Sequence, residues 1–275
     1  MGFLEFPSAA PIIRASFMEQ DHTLMASRYE LKYLIPNNLA LRVRDFIQQH
    51  LELDEFGEGK PDLSYPVHSL YLDSPDATIY WRTINGDKNR YKLRIRYYSE
   101  NPKVPVYFEI KRRMKDIILK QRCGVHRDAV PQILAGHMPP IEKIVTRTAG
   151  EMQSLEEFIR LMVNLNTHPA MHVAYMREAY VSAYNNEFRI TLDRHVQCQP
   201  RTEGILVTGM ENPFVCTKDT VILELKFTDR FPVWYKDLVE TFNCFQCGAA
   251  KFVEGTLMHR GRHLHAKDVI RNMVL

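Results

Sequence analysis

The chain has 275 residues, 45% hydrophobic and 25% charged, with 36 Lys+Arg against 33 Asp+Glu. That supports one large β-rich or α/β domain, or two small ones, and no apolar run approaches the roughly 20 residues a membrane-spanning helix requires. Five cysteines, an odd and sparse set, argue against a disulfide framework and fit a reducing compartment, so a cytoplasmic location is expected.

In chain order, residues 1–27 show no sustained period and no basic, apolar leader, and are expected to be a loosely ordered tail. Arg28, Glu30 and Lys32 then alternate with Tyr29, Leu31, Tyr33 and Ile35, the period-two signature of a strand. A helix follows Pro36-Asn37-Asn38, with Leu39, Val43, Phe46 and Ile47 on one stripe. Residues 67–73 make a weaker strand, and Asp73-Ser74-Pro75 reads as a turn rather than as a catalytic Asp or Ser. Arg90, Lys92, Arg94 and Arg96 share a face opposite Tyr91, Leu93, Ile95 and Tyr97. Tyr107, Glu109, Lys111 and Arg113 oppose Val106, Phe108 and Ile110, and Lys120 and Arg122 alternate with Leu119, Gln121 and Cys123. Ser154 with Glu157 predicts a capping box for a helix carrying Leu155, Phe158, Ile159, Met162 and Val163. Residues 172–180, a weaker strand, carry Arg177. Glu187, Arg189, Thr191 and Asp193 oppose Phe188, Ile190 and Leu192; Ile222, Glu224 and Lys226 oppose Val221, Leu223, Leu225 and Phe227. Pro232 opens a helix with Trp234, Leu238 and Phe242. No linker interrupts residues 28–262, which are expected to be one domain, and residues 263–275 form a second tail. The fold class is α+β with a mainly antiparallel sheet.

A solvated sheet face alternates in this way by default, and Glu30 with Lys32 or Glu109 with Lys111 could simply pair with each other. Four like charges about 7 Å apart along Arg90–Arg96, however, repel one another unless an anion neutralises them. Bases outnumber the interleaved acids Glu30, Glu109, Glu187, Asp193 and Glu224 on these faces, so self-pairing leaves a positive excess. Amphipathic helices need the apolar faces, which leaves the charged faces to water or to one another. If the sheet closes into a barrel they line a lumen, and a basic lumen selects a polyanion, with carboxylates available to a hard divalent cation. No GxxxxGK[ST] loop is present, which disfavours a P-loop enzyme. Tyr91 and Tyr97 lie opposite the arginine row, so a base-stacking platform, and with it a nucleic-acid partner, is not expected. Cys244 and Cys247 lack a second pair and are read as free thiols, Cys123, Cys198 and Cys216 as standing alone, and His259, His263 and His265 as a solvated basic tail.

The segments Arg28-Tyr29-Glu30-Leu31-Lys32-Tyr33, Tyr71-Leu72-Asp73-Ser74-Pro75 and Lys92-Leu93-Arg94-Ile95-Arg96-Tyr97 are followed by Phe108-Glu109-Ile110-Lys111. Then come Tyr175-Met176-Arg177-Glu178-Ala179-Tyr180, Arg189-Ile190-Thr191-Leu192-Asp193, Leu223-Glu224-Leu225-Lys226 and Lys251-Phe252-Val253. In this order they resemble the VTC (vacuolar transporter chaperone) polyphosphate polymerase domains. These belong to the triphosphate tunnel metalloenzymes, with the CYTH phosphatases and RNA triphosphatases.

The resemblance implies a closed antiparallel β-barrel, a triphosphate tunnel, with amphipathic helices packed outside. It implies a metal-dependent polyphosphate polymerase that moves the terminal phosphate of ATP onto a growing chain with Mn2+ or Mg2+. Hydrolysis of tripolyphosphate or nucleoside triphosphates in the same fold is the alternative, and a non-catalytic polyphosphate or inositol-phosphate sensor is another. Carried over by motif, Arg94, Arg96, Lys111 and Lys251 are expected to be catalytic, and Lys32, Arg177, Arg189 and Lys226 to bind substrate. The charged faces add Arg28 and Lys92 to the binding set. Glu224 is expected to be the principal metal ligand, helped by Glu109 and Glu30. Arg28 stands where hydrolytic members begin an acidic pair, which leans towards the polymerase branch. Ala250-Lys251-Phe252 departs from the family's common Ser-Lys-Tyr, losing two hydroxyls and keeping the lysine. The sequence shows neither the membrane helices nor the added regulatory domain of eukaryotic members, and resembles a stand-alone bacterial form; a membrane partner is compatible with it.

Overall fold

The alternation beginning at Arg28 forms β1 (Arg28–Pro36), whose apolar face buries Tyr33 and Ile35. In this computed structural model, residues 28–115, 117–183, 187–228 and 230–261 are described, Arg28 by its backbone. Both expected tails, 1–27 and 263–275, lie outside the described residues. Pro36 turns the chain into a short 3-10 segment and then α1 (Ala40–Ile47), which lays Val43 and Ile47 beneath the β1 face. Next come β2 (Glu52–Leu53), β3 (Ser64–Asp73), α2 (Thr78–Ile84), β4 (Asn89–Tyr97), β5 (Val106–Met114) and β6 (Ile117–Val125). They are followed by α3 (Val130–Leu134), α4 (Ala149–Asn164), β7 (His168–Val181), β8 (Phe188–Pro200), β9 (Phe214–Val215) and β10 (Thr220–Thr228). The described chain ends with α5 (Val233–Thr241) and α6 (Lys251–Gly261).

Every pairing is antiparallel. β7 pairs with both β3 and β8, so β3-β4-β5-β6-β1-β10-β8-β7 return on themselves as an eight-strand circuit, with β2 and β9 as short flanks. The expected α+β antiparallel barrel is therefore the observed fold. Among the described residues, β1 meets β6 through a single register pair, Arg28↔Ile118, whereas β1 and β10 pair along nine residues.

Outward side chains make two apolar shells. Outside β1, β8 and β10, Leu223, Leu225, Ile190 and Leu192 pack with α1 and α5 through Ile47, Tyr235 and Leu238. Outside β3, β4 and β5, Leu93, Ile95 and Phe108 pack with α4, Phe108 meeting Phe158 edge-on at 5.0 Å. Each such fully buried side chain contributes about 1.5–3 kcal/mol. Tyr97 belongs to this outer layer, bonded through its hydroxyl to His172 and the Val207 carbonyl, so the arginine row of β4 faces the other way.

Three local outcomes differ from the sequence reading. The α4 cap is Thr148, whose Oγ1 accepts the Glu151 amide at 3.2 Å, six residues before the expected cap at Ser154. Thr148 and Glu151 repeat the Ser-x-x-Glu spacing, and Arg147 in a left-handed conformation supplies the turn into the helix. Ser154 instead donates to the Gly150 carbonyl inside the helix. α2 is a helix the periodicity did not show. Its N-terminus is fastened by the turn residue Asp73, whose carboxylate accepts the amides of Ser74, Ile79 and Tyr80 at 2.8, 2.8 and 3.0 Å. α6 was also missed, because it is apolar where it enters the barrel rather than along one stripe. Gly255 makes that entry feasible: a Cβ there would lie 2.5 Å from Cys198 Cβ.

Candidate functional site

Period-two geometry turns the polar faces of the circuit inwards. β4 contributes Lys92, Arg94 and Arg96, β5 Glu109 and Lys111, and β6 Lys120 and Arg122. β1 adds Glu30 and Lys32, β10 Glu224 and Lys226, β8 Thr191 and Asp193, and β7 Tyr175 and Arg177. From the first turn of α6, Lys251 joins them.

Three carboxylate centres organise these cations. Glu224 has Lys226 at 2.6 Å, Lys251 at 3.1 Å, Lys32 at 3.3 Å and Arg177 at 3.6 Å. Beside it, Asp193 takes a two-pronged contact from Arg177 at 2.7 Å on each oxygen and Lys251 at 2.6 Å. Glu109 holds Arg94 at 2.6 Å and Lys120 at 2.8 Å, with Arg96 at 4.0 Å. Glu30 takes Lys111 at 2.7 Å and Lys32 at 3.2 Å.

Two phenols support the arginines: Arg94 donates to the Tyr71 hydroxyl at 3.0 Å, and Arg96 to the Tyr175 hydroxyl at 3.1 Å. Arg96 Nε, buried, has no hydrogen-bond partner. Lys92, Lys111 and Lys120 stand side by side across β4, β5 and β6. Like charges opposite one another destabilise a sheet unless something neutralises them.

The electrostatics follow from this crowding. Burial pushes the Glu109 carboxyl up, but Lys120, Arg94 and Arg96 outweigh it and hold it well below the usual carboxylate range. Glu224 is likewise held down against burial by Lys226, Lys251 and Lys32. Burial lowers the Lys92 ammonium to about 7, reinforced by Lys32 and Lys111. Burial takes Lys120 to about 7 despite Glu109, and Lys226 to about 8 despite Glu224. At Lys251 burial is overcome by Asp193 and Glu224, and its pKa rises. The lumen therefore mixes firmly charged cations with lysines poised to take up protons when an anion arrives.

The family model for the VTC domain matches residues 27–259. The chain belongs to the VTC domain family. Over 186 residues this VTC domain is 22% identical to vacuolar transporter chaperone complex subunit 2 of Schizosaccharomyces pombe, a match covering 62% of this chain and 25% of that protein. The chain thus spans about a quarter of that relative's length. Among solved structures, it is similar to a Hippeastrum candidate adenylyl cyclase reported to have a dominant triphosphatase activity, at 14% identity and TM-score 0.46, covering 85% of this chain and 96% of that one. A candidate adenylate cyclase from Bacillus halodurans gives 13% identity and TM-score 0.46, covering 82% and 94%.

Of the residues singled out in sequence, the VTC domain brings Lys32, Arg94, Arg96, Lys111, Arg177, Lys226, Lys251, Glu30, Glu109 and Glu224 into one lumen. Lys92 joins them with no ion pair among the described residues. Arg189 stands apart, tied at 2.6 Å to Asp54 in the loop after β2. Sequence reasoning counted Asp193 among the inward acids without assigning it a role of its own, and left Tyr71 and Tyr175 out of the site. Asp193 closed an alternating row and was legible as an inward acid; the tyrosines were hidden because an aromatic in a strand reads as core. Cys244 and Cys247 are free thiols as expected. Cys198 and Cys216, read as isolated, are neighbours at 3.2 Å. His259 meets Phe214 edge-on, and His263 and His265 lie outside the described residues.

Among the described residues no three His, Cys, Asp or Glu side chains converge as a metal cage. Glu224 and Asp193 share Arg177 and Lys251, and Glu224 and Glu30 share Lys32. Mg2+ is usually bound through one or two carboxylates plus substrate phosphates, and this donor set fits an ion held in that way.

Proposed function

We propose that this VTC domain, over residues 28–262, is a metal-dependent polyphosphate polymerase using ATP. An oxygen of the chain's terminal phosphate attacks the γ-phosphorus of ATP, a new P–O–P link forms, and the bond to ADP breaks. The observation that carries this reading is the inward excess of cations: among the described residues, Lys92 has no ion pair beside Lys111 and Lys120, and the buried Arg96 Nε has no acceptor. Such a lumen is incomplete without a chain of anionic oxygens. Phosphoryl transfer asks chiefly for positioning and charge neutralisation, which these side chains are suited to supply.

In this reading Arg94, Arg96 and Lys111 hold the transferring phosphates. Lys32 and Lys251 hold the chain, while Lys92, Arg177 and Lys226 extend the binding surface, and Arg28 and Arg189 are proposed as further substrate-binding residues. Glu224, helped by Glu30 and Glu109, would hold Mn2+ or Mg2+, which would supply Lewis-acid neutralisation of phosphate charge. Among the described residues no helix is long and apolar enough to cross a membrane. The proposed setting is the cytoplasm, and a membrane-embedded partner receiving the polymer is compatible with it.

The test is incubation of the purified protein with ATP and manganese, with products resolved by polymer length on a gel. A ladder of lengthening chains is expected. Free phosphate without polymer would replace this reading with hydrolysis in the same tunnel, and tight polyphosphate binding without turnover would make the protein a sensor.

A further inference from the structure

Cys198 on β8 and Cys216, one residue past β9, bring their sulfurs to 3.2 Å. Gln197↔Val215 and Cys198↔Phe214 set the β8–β9 register, and the Cys216 amide donates to the Val196 carbonyl at 2.8 Å. The two cysteines are therefore diagonal neighbours on one face. Cys198 is fully buried, with its Sγ 3.5 Å from the Lys251 carbonyl oxygen. A Cβ on Gly255 would come within 2.7 Å of that sulfur. Cys216 is half-buried, less enclosed than Cys198. A disulfide needs a sulfur separation of about 2.05 Å, so closure asks for movement on the order of 1 Å. β9 has two residues and ends the strand order, so it is the part that can yield.

We propose that Cys198 and Cys216 are a modification site, a dithiol that a peroxide converts reversibly to a disulfide beneath α6. The Cys216 thiolate attacks one peroxide oxygen, the O–O bond breaks, and the departing hydroxide takes up the thiol proton as water. The resulting sulfenic acid is attacked by the Cys198 sulfur; the S–S bond forms as the sulfenic oxygen leaves as a second water. Two thiols are oxidised by two electrons and one peroxide is reduced to two waters. The disulfide has no S–H, so the Lys251 carbonyl loses the thiol that faces it, and the first turn of α6 loosens. This assignment does not depend on what the lumen binds.

The full-length reduced protein is treated with dilute hydrogen peroxide, unfolded, and its thiols are counted by maleimide labelling and mass spectrometry. The count is expected to fall by two from the five of the sequence, with a cross-linked peptide joining Cys198 to Cys216 and full recovery in dithiothreitol. Cys216→Ser is expected to lose none, and Cys198→Ala repeats that control if the serine variant fails to fold. An unchanged count in the wild type, or a cross-link between other cysteines, overturns the proposal. Amide hydrogen exchange across residues 251–261 is expected to quicken on oxidation in the wild type and not in Cys216→Ser; no change in the wild type removes the link to α6.

Discussion

Arg96 is buried, and its Nε, 4.0 Å from the Glu109 carboxylate, has no hydrogen-bond acceptor among the described residues. Replacing it by alanine leaves Glu109 with Arg94 and Lys120, so the fold is expected to persist. Loss of one positioned donor to transition-state charge typically costs ~100- to 1000-fold in turnover. Polymer synthesis by Arg96→Ala is expected to fall by that order with an unchanged thermal melt; wild-type synthesis would remove Arg96 from the site. Lys92 gives a different readout. Its folded pKa of about 7 lies below the ordinary lysine value, so the free protein binds fewer protons than the unfolded chain between the two. The destabilisation from charging Lys92 is therefore present in full below about pH 7 and is relieved as pH rises towards the unfolded value. Binding has the opposite slope, because phosphate favours the charged form. Tripolyphosphate affinity is expected to weaken as pH rises from about 6 to 9, and Lys92→Arg, which stays charged, to flatten part of that profile. Parallel profiles for both proteins in titration calorimetry would count against this role.

At the scale of the element, caps and close approaches decide where helices begin and sit. Thr148→Ala is expected to cost about 1 kcal/mol, because the Glu151 amide loses its acceptor, while Ser154→Ala changes little. Urea unfolding of the two variants separates them. Gly255→Ala would force a methyl against Cys198 Cβ, which is not the far end of a flexible chain, and is expected to destabilise by about 1–3 kcal/mol. A melt no lower than that of the wild type would show α6 free to lift. These elements also mark where sequence reasoning ran out. Strict alternation at Arg90–Arg96 and Val221–Phe227 exposed the strands and the inward charge directly. Nothing local says that Asp73 will cap a helix, since its acceptor role depends on Ile79 and Tyr80 folding back. Nor does local pattern show that Lys251 reaches Asp193 and Glu224, since a helix entering a barrel end has apolar neighbours on several sides.

For the whole molecule, the wall is as informative as its lining. Among the described residues, seven of its eight joints are multi-residue ladders, and the remaining one, β6 to β1, has one register pair. Lys111 on β5 reaches past β6 to Glu30 on β1 at 2.7 Å, so a side-chain contact spans this joint. The same ammonium is assigned to phosphate. A guest that draws Lys111 away from Glu30 would loosen the cylinder along this seam, and girth would become coupled to occupancy. Amide protons of β1 and β6 are expected to exchange faster with tripolyphosphate bound than without, in contrast to the tightening that ligands usually bring. A uniform slowing would mean the clasp stays shut.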